Sequence, residues 1–112
     1  MRVAVRHEKE APFIERIFTV NGSPLACRFF QPEADGRDWA CRTEIDWPQA
    51  PRKRRIMGVD PVQALLLAMA MVHCDLLTAR EDLGWDVRWL DDTSLGLPLT
   101  PNLRDLDPQG WL

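Results

Sequence analysis

Tyrosine is absent from this chain, histidine occurs twice and cysteine three times. Three thiols with no C-x-x-C spacing point to free cysteines and a reducing compartment rather than a disulfide framework. His7 beside Glu8 and Glu10, or His73 beside Asp75, lacks metal-ligand spacing, so no metal site and no cofactor are expected. No glycine-rich phosphate loop and no G-x-S-x-G is present, and no residue is assigned to catalysis. Internal repeats and low-complexity segments are missing too. The longest apolar run, Ala64–Val72, is nine residues. That is short of the roughly 20 a bilayer needs, and Asp75, Arg80, Glu81 and Asp82 follow closely, so no membrane role is expected. Met1–His7 has no long apolar core, which points away from a signal peptide and towards the cytoplasm.

What is present suits one domain. The chain has 112 residues, with five Trp and four Phe to build a core. Its net charge is −3, a poor match to a general nucleic-acid binder. Residues 1–58 carry 11 basic and 8 acidic side chains, a net +3, and residues 59–112 carry 3 and 9, a net −6. If the halves separate in space, the molecule is a dipole.

The strongest local signal is a helix from Pro61 to about Leu83. Asp60 can accept from the free N–H groups of the first turn, and Pro61 needs no N–H at the first helical position. Gln63 can reach back to the cap backbone, and Gly84 supplies a left-handed stop. The spacing assigns Val62, Leu65, Leu66, Met69, Val72, Leu76 and Ala79 to a face that meets a sheet. A second stripe, Leu67, Ala70, Met71, Cys74 and Leu77, needs a cover, either the C-terminal segment or a second chain.

Before the helix, residues 2–7, 12–20, 24–31 and 39–47 read as strands, and residues 52–57 as a basic edge strand. Asn21-Gly22 predicts a type I′ hairpin pairing Val20 with Ser23, Phe18 with Leu25 and Ile14 with Phe29. Arg16, opposite Cys27, is the misfit on that face. Pro32–Asp38 reads as a loop, and matching its flanks requires an odd length, met by a glycine bulge at Asp35-Gly36-Arg37. The inner face is then Val3, Val5, Ile14, Phe18, Val20, Leu25, Cys27, Phe29, Trp39, Cys41, Ile45 and Trp47. Cys27 and Cys41 share it without facing each other. The fold class is α+β: an antiparallel four- to five-stranded meander over 1–57, one long helix over 60–83, and an irregular tail over 85–112 packed on the core. Within that tail Trp85–Trp89 reads as extended and Asp91-Asp92 as a turn. Leu95–Leu99 is the candidate cover for the second stripe, and Trp111 is docked or exposed.

The outer face of the sheet carries Phe13, Ile17, Ala26 and Phe30 among Glu15, Arg28, Arg42 and Glu44. Such an apolar cluster on a solvent-facing sheet marks either an overlying tail or a partner surface. Arg52–Arg55 suits a solvated edge strand better than a phosphate site. His73 and Cys74 point about 100° apart on a helix and do not make a nucleophile–base pair with each other.

The pattern Gly58-x-Asp60-x-x-Gln63-Ala64-Leu65-x-Leu67-Ala68 carries a resemblance, together with Asp35-Gly36-x-Asp38-Trp39 before it and Leu95-Gly96-x-Pro98 after it. It resembles a family of small bacterial proteins described as a domain of unknown function. The resemblance implies structural motifs only, and an association with immunity or accessory proteins. The expected function is a non-enzymatic cytoplasmic interaction domain with a protein partner, a toxin or a second copy of itself. Candidate partner-binding residues are Phe13, Ile17, Phe30, Arg42, Asp86, Asp91 and Asp92. The alternatives are a homodimeric accessory domain, or a small enzyme with a site near His73.

Overall fold

The computed structural model describes residues 12–98. The expected strand at 2–7 with Val3 and Val5, and the last residues with Trp111, lie outside them. The elements in chain order are β1 (Ile14–Val20), β2 (Ser23–Phe29), β3 (Glu33–Asp35), β4 (Asp38–Ile45), β5 (Arg52–Gly58), α1 (Pro61–Leu83) and β6 (Val87–Arg88). All described strand pairings are antiparallel, and the class is α+β.

The first hairpin forms in the expected register, Ile14 opposite Phe29, Phe18 opposite Leu25 and Val20 opposite Ser23. Asn21 and Gly22 have φ of 52° and 84°, the two positive values a type I′ turn needs. β2 pairs β4 with Cys27 opposite Ile45 and Phe29 opposite Thr43, so the two buried thiols are not partners.

The loop between them differs from expectation. Glu33–Asp35 is a strand that takes over from β2 along the same edge of β4, with Asp35 opposite Asp38. Gly36 (φ 63°) and Arg37 make a two-residue turn there. The odd residue is inserted earlier, at Gln31-Pro32. Phe30 N still bonds Arg42 O at 3.0 Å, but Glu33 already faces Ala40, so three steps on one strand meet two on the other. Pro32 has no N–H to offer a ladder, which makes this the natural place for a bulge.

β5 covers the other edge of β4 from Trp39–Gly58 to Ile45–Arg52. Arg52 and Arg54 point to the helix side and bond Asp75, so they are not simply solvated.

α1 begins and ends where the capping residues direct. Asp60 Oδ1 accepts from Gln63 N at 2.7 Å, and Gln63 Oε1 accepts from Val59 N at 2.7 Å. Gly84 is left-handed (φ 69°), and Trp85 N closes the last turn on Ala79 O at 3.2 Å. By length and composition alone this helix could cross a membrane. Here it is the core helix, lying chiefly over β4 and β5.

Its buried face is the expected one in part: Val72, Leu76 and Ala79 are buried and Leu65 and Met69 pack against the core, but the first turns differ. Ala64, Ala68, Val72, Leu76 and Ala79 are buried with Phe18, Leu25, Cys27, Phe29, Cys41 and Ile45. Val62 and Leu66, assigned to that face, are 65% and 48% exposed. The cause is a close approach at Gly58, where a Cβ would fall 2.4 Å from Ala64 N. A helix seated that near a strand presents its small residues to it, and the larger side chains rotate outward. Ile14, also expected inside, is 42% exposed, because β1 begins beyond the reach of a helix placed over β4 and β5.

The second stripe is covered in part by the chain itself. Leu77, Leu95 and Leu97 are buried in one cluster, while Leu67, Met71 and Cys74 remain half-buried. Two arginines hold the covering segment. Arg80 Nη2 bonds Val87 O (2.6 Å) and Thr93 O (2.8 Å), and Arg16 Nη1 bonds Leu95 O (3.0 Å) and Gly96 O (2.9 Å). Arg16 therefore has partners on the face where it looked misplaced.

Candidate functional site

β6 leads into the tightest feature of the surface. Trp89 and Asp92 exchange backbone hydrogen bonds (3.0 and 2.9 Å) around Leu90-Asp91, both with positive φ, 53° and 63°. Aspartate tolerates this region, whereas leucine is strained in it by about 1–2 kcal/mol. Leu90 is also 77% exposed, so its side chain does little for the fold. Asp91 and Asp92 follow it in the open, and Asp86 stands just before β6. Arg88 bonds Asp86 Oδ1 at 2.8 Å, and this contact raises the Arg88 pKa above its ordinary value. Asp91 and Asp92 are the exposed charges of the turn itself, while Arg88 pairs with Asp86, Arg16 stacks on the Trp89 ring and Arg80 bonds the Val87 and Thr93 carbonyls. Asn21 fixes the base of the turn, since Asn21 N bonds Asp86 O (2.8 Å) and Asp86 N bonds Asn21 Oδ1 (2.9 Å).

The outer-face candidates divide. Phe13 and Ile17 are 52% and 50% exposed, as expected, at the start and middle of β1. Phe30 is 4% exposed and drops out of the surface, and Arg42 goes with it. The Arg42 guanidinium lies over the Phe30 ring at 4.6 Å and pairs with Glu33 at 3.7 Å. Bulging at Gln31-Pro32 brings Glu33 to that position. Between these groups Arg28 bonds Asp46 and pairs with Glu15 (3.4 Å) and Glu44 (3.9 Å), so the centre of the face is occupied by paired charge. Phe13 and Asp86 stand at opposite ends of β1 and do not form one patch.

A third place was not singled out by sequence. Trp47, after β4, and Trp85, after α1, meet at 5.6 Å between ring centroids and 62° between planes. They wall a groove of about 650 Å³ with Gln49, Pro51, Arg52, Asp75, Thr78 and Leu83. No local motif joins residues so far apart in the chain. The only trace in the sequence is a tryptophan two residues past each element's end.

His73 is buried (1% exposed) with Nδ1 3.3 Å from Pro98 O, and it does not line that groove. Cys27 and Cys41 are buried, and burial pushes their thiols up to about 12 and about 11 from an ordinary 9.0. Groups so reluctant to ionise are poor nucleophiles at neutral pH. No cluster of three or more His, Cys, Asp or Glu able to hold a metal occurs among the described residues.

The strands, helix and covering segment that create these sites coincide with one family model, which matches residues 14–99: a domain of unknown function, DUF6968. The chain belongs to this family. Comparison with curated proteins and with solved structures gave no match. The DUF6968 match takes in Leu90 and both groove tryptophans, so the acidic turn and the groove both lie within the family's domain.

Proposed function

We propose that this chain is a protein-interaction domain that acts without catalysis, and that the Leu90-Asp91-Asp92 turn is its contact surface. The supporting observation is Leu90 itself. Glycine or asparagine would fill a left-handed position at lower cost, yet a bare leucine stands there, followed directly by Asp91 and Asp92. An apolar anchor next to exposed carboxylates suits a partner with a pocket in a basic surface, and the charge speeds encounter. A bacterial, cytoplasmic, immunity-type role is the concrete version: the acidic turn masks the basic site of a toxin. The test is Leu90→Gly in co-expression with the product of the adjacent gene. Stability rises by about 1 kcal/mol as the strain is relieved. Affinity for that product falls at least about tenfold with loss of the anchor. Undiminished binding by Leu90→Gly, or no complex with that product, rejects the reading.

A homodimeric accessory role has one observation in its favour. Val59, Val62 and Leu66 are 70%, 65% and 48% exposed around the start of α1. Self-pairing through the β5 edge is disfavoured, because a symmetric pair centred on Arg55 sets like charges opposite each other. The helix start is therefore the dimer surface in this version. Light scattering decides it: a monomer at high concentration, or a dimer unaffected by Val62→Glu, removes it.

A further inference from the structure

We propose that the groove between Trp47 and Trp85 is a binding site for a small molecule with a planar aromatic ring and a carboxylate. Asp75 lines the groove with its side chain 14% exposed. Its Oδ1 accepts from Arg54 Nη2 at 2.9 Å, and its Oδ2 accepts from Arg54 Nε at 3.1 Å and Arg52 Nε at 3.2 Å. A carboxylate carrying three charge-assisted bonds has little left for a ligand cation. Arg52 is in the opposite condition. It bonds Asp75 through Nε and its side chain is 50% exposed, which leaves its terminal nitrogens able to bond a ligand. Two guanidiniums share the one carboxylate, a cluster of net charge +1 whose groove-lining members are Arg52 and Asp75. The groove therefore offers a planar donor fork to an anion and no acceptor to a cation.

The walls set the other half of the ligand. Trp47 and Trp85 are half-buried and meet edge to face, so indole surface remains open to the groove. Pro51 and Leu83 extend the apolar lining, and Gln49 and Thr78 supply neutral polar groups. A ring slides against the tryptophans while its carboxylate reaches the Arg52 fork. The volume, about 650 Å³, falls inside the roughly 300–1,000 Å³ usual for small-molecule sites. This site is separate from the acidic turn, and its test needs no partner protein.

Indole-3-acetate is the probe, with indole and acetate as its halves. The readout is the indole N–H cross-peaks in ¹H–¹⁵N spectra of the whole chain, assigned with Trp47→Phe and Trp85→Phe. A 13-atom ligand at about 0.3 kcal/mol per atom gives a Kd on the order of 1 mM or tighter. Saturable shifts of Trp47 and Trp85, with Trp39 and Trp89 still, are expected. Arg52→Gln weakens binding about tenfold or more, the size of one lost charged hydrogen bond. Arg52→Lys falls between, having charge without the fork. Indole alone binds at least about tenfold more weakly, and acetate alone shifts nothing at the same concentration. Unchanged Trp39 and Trp89 peaks in each variant certify the fold. No saturable shift by about ten times that Kd, equal affinity in Arg52→Gln, or shifts centred on Trp89 overturns the proposal.

Discussion

The guanidinium of Arg16 lies 3.8 Å from the centre of the Trp89 ring, and Gly96 is tight against the same ring. A Cβ on Gly96 would fall 2.4 Å from Trp89 Cζ3 and 3.1 Å from Arg16 Nη1. With the two bonds from Arg16 Nη1 to Leu95 O and Gly96 O, this stack fastens residues 89–98 to β1. Arg16→Met, which keeps bulk but loses the charge and both bonds, should cost about 2–3 kcal/mol. Gly96→Ala should cost at least as much, because strain at φ 64° adds to the overlap. Urea midpoints measure both. Amide exchange should show the loss concentrated in residues 87–97, and a uniform loss would contradict the fastening role.

Gly58→Ala should be more damaging still. The new methyl would meet Ala64 N at 2.4 Å, Ala64 Cα at 2.8 Å and the Gln63 carbonyl carbon at 2.9 Å. Those are backbone atoms and cannot rotate aside, so α1 must lift from β5. A loss above about 3 kcal/mol is expected, at the upper end of overpacking. By contrast Val62→Gln and Leu66→Gln, on the exposed flank, should change the urea midpoint by less than about 0.5 kcal/mol equivalent.

That contrast shows where the sequence was legible. Turn and cap chemistry are local: Asn21-Gly22, Asp60-Pro61 and Gly84 each act within a few residues, so hairpin register and both helix ends could be read directly. Parity correctly put Cys27 and Cys41 on one face without pairing them. Periodicity placed Val72, Leu76 and Ala79 correctly but misplaced Val62 and Leu66 in the first turns, because it ranks large apolar residues first. The contact is governed by the absence of a side chain at Gly58, which favours Ala64 and Ala68. Phe30 misled for a related reason, since alternation along β2 does not reveal that Arg42 from β4 lies over its ring. Of the sites, the acidic turn was visible as Asp91-Asp92. The strain at Leu90 and the Trp47–Trp85 meeting depend on contacts made only in the fold.

Asp75 ties α1 to β5, and its loss should be felt through the arginines it leaves behind. Arg52 and Arg54 share a face of β5, and Arg54 is largely covered, with 25% of its side chain exposed. Asp75→Asn removes the neutralising charge and should destabilise by about 1–2 kcal/mol, below the cost for a fully buried pair. Combining it with Arg54→Met removes the more covered of the two stranded charges as well. The double variant should recover part of the loss, a coupling measured by a double-mutant cycle in urea. Strict additivity would mean that Asp75 and Arg54 do not stabilise each other.

The buried thiols give the fold an alkaline limit. Burial, with the Asp46 carboxylate assisting, holds Cys27 at about 12, and burial outweighs the nearby Arg42 to hold Cys41 at about 11. In the unfolded chain both release protons near their ordinary value of 9.0. Between these limits the folded state keeps two protons that the unfolded state has lost. Stability is therefore complete below about pH 9 and falls above it, by about 1.4 kcal/mol per pH unit for each thiol. The fall ends for Cys41 near pH 11 and for Cys27 near pH 12. The absence of tyrosine keeps phenol ionisation out of this window. Urea midpoints from pH 7.5 to 10.5 under reducing conditions should show the decline. Cys27→Ala with Cys41→Ala should start less stable at neutral pH, because methyl groups fill the thiol sites poorly, yet decline less steeply. Parallel slopes for the two proteins would assign the alkaline loss to other groups.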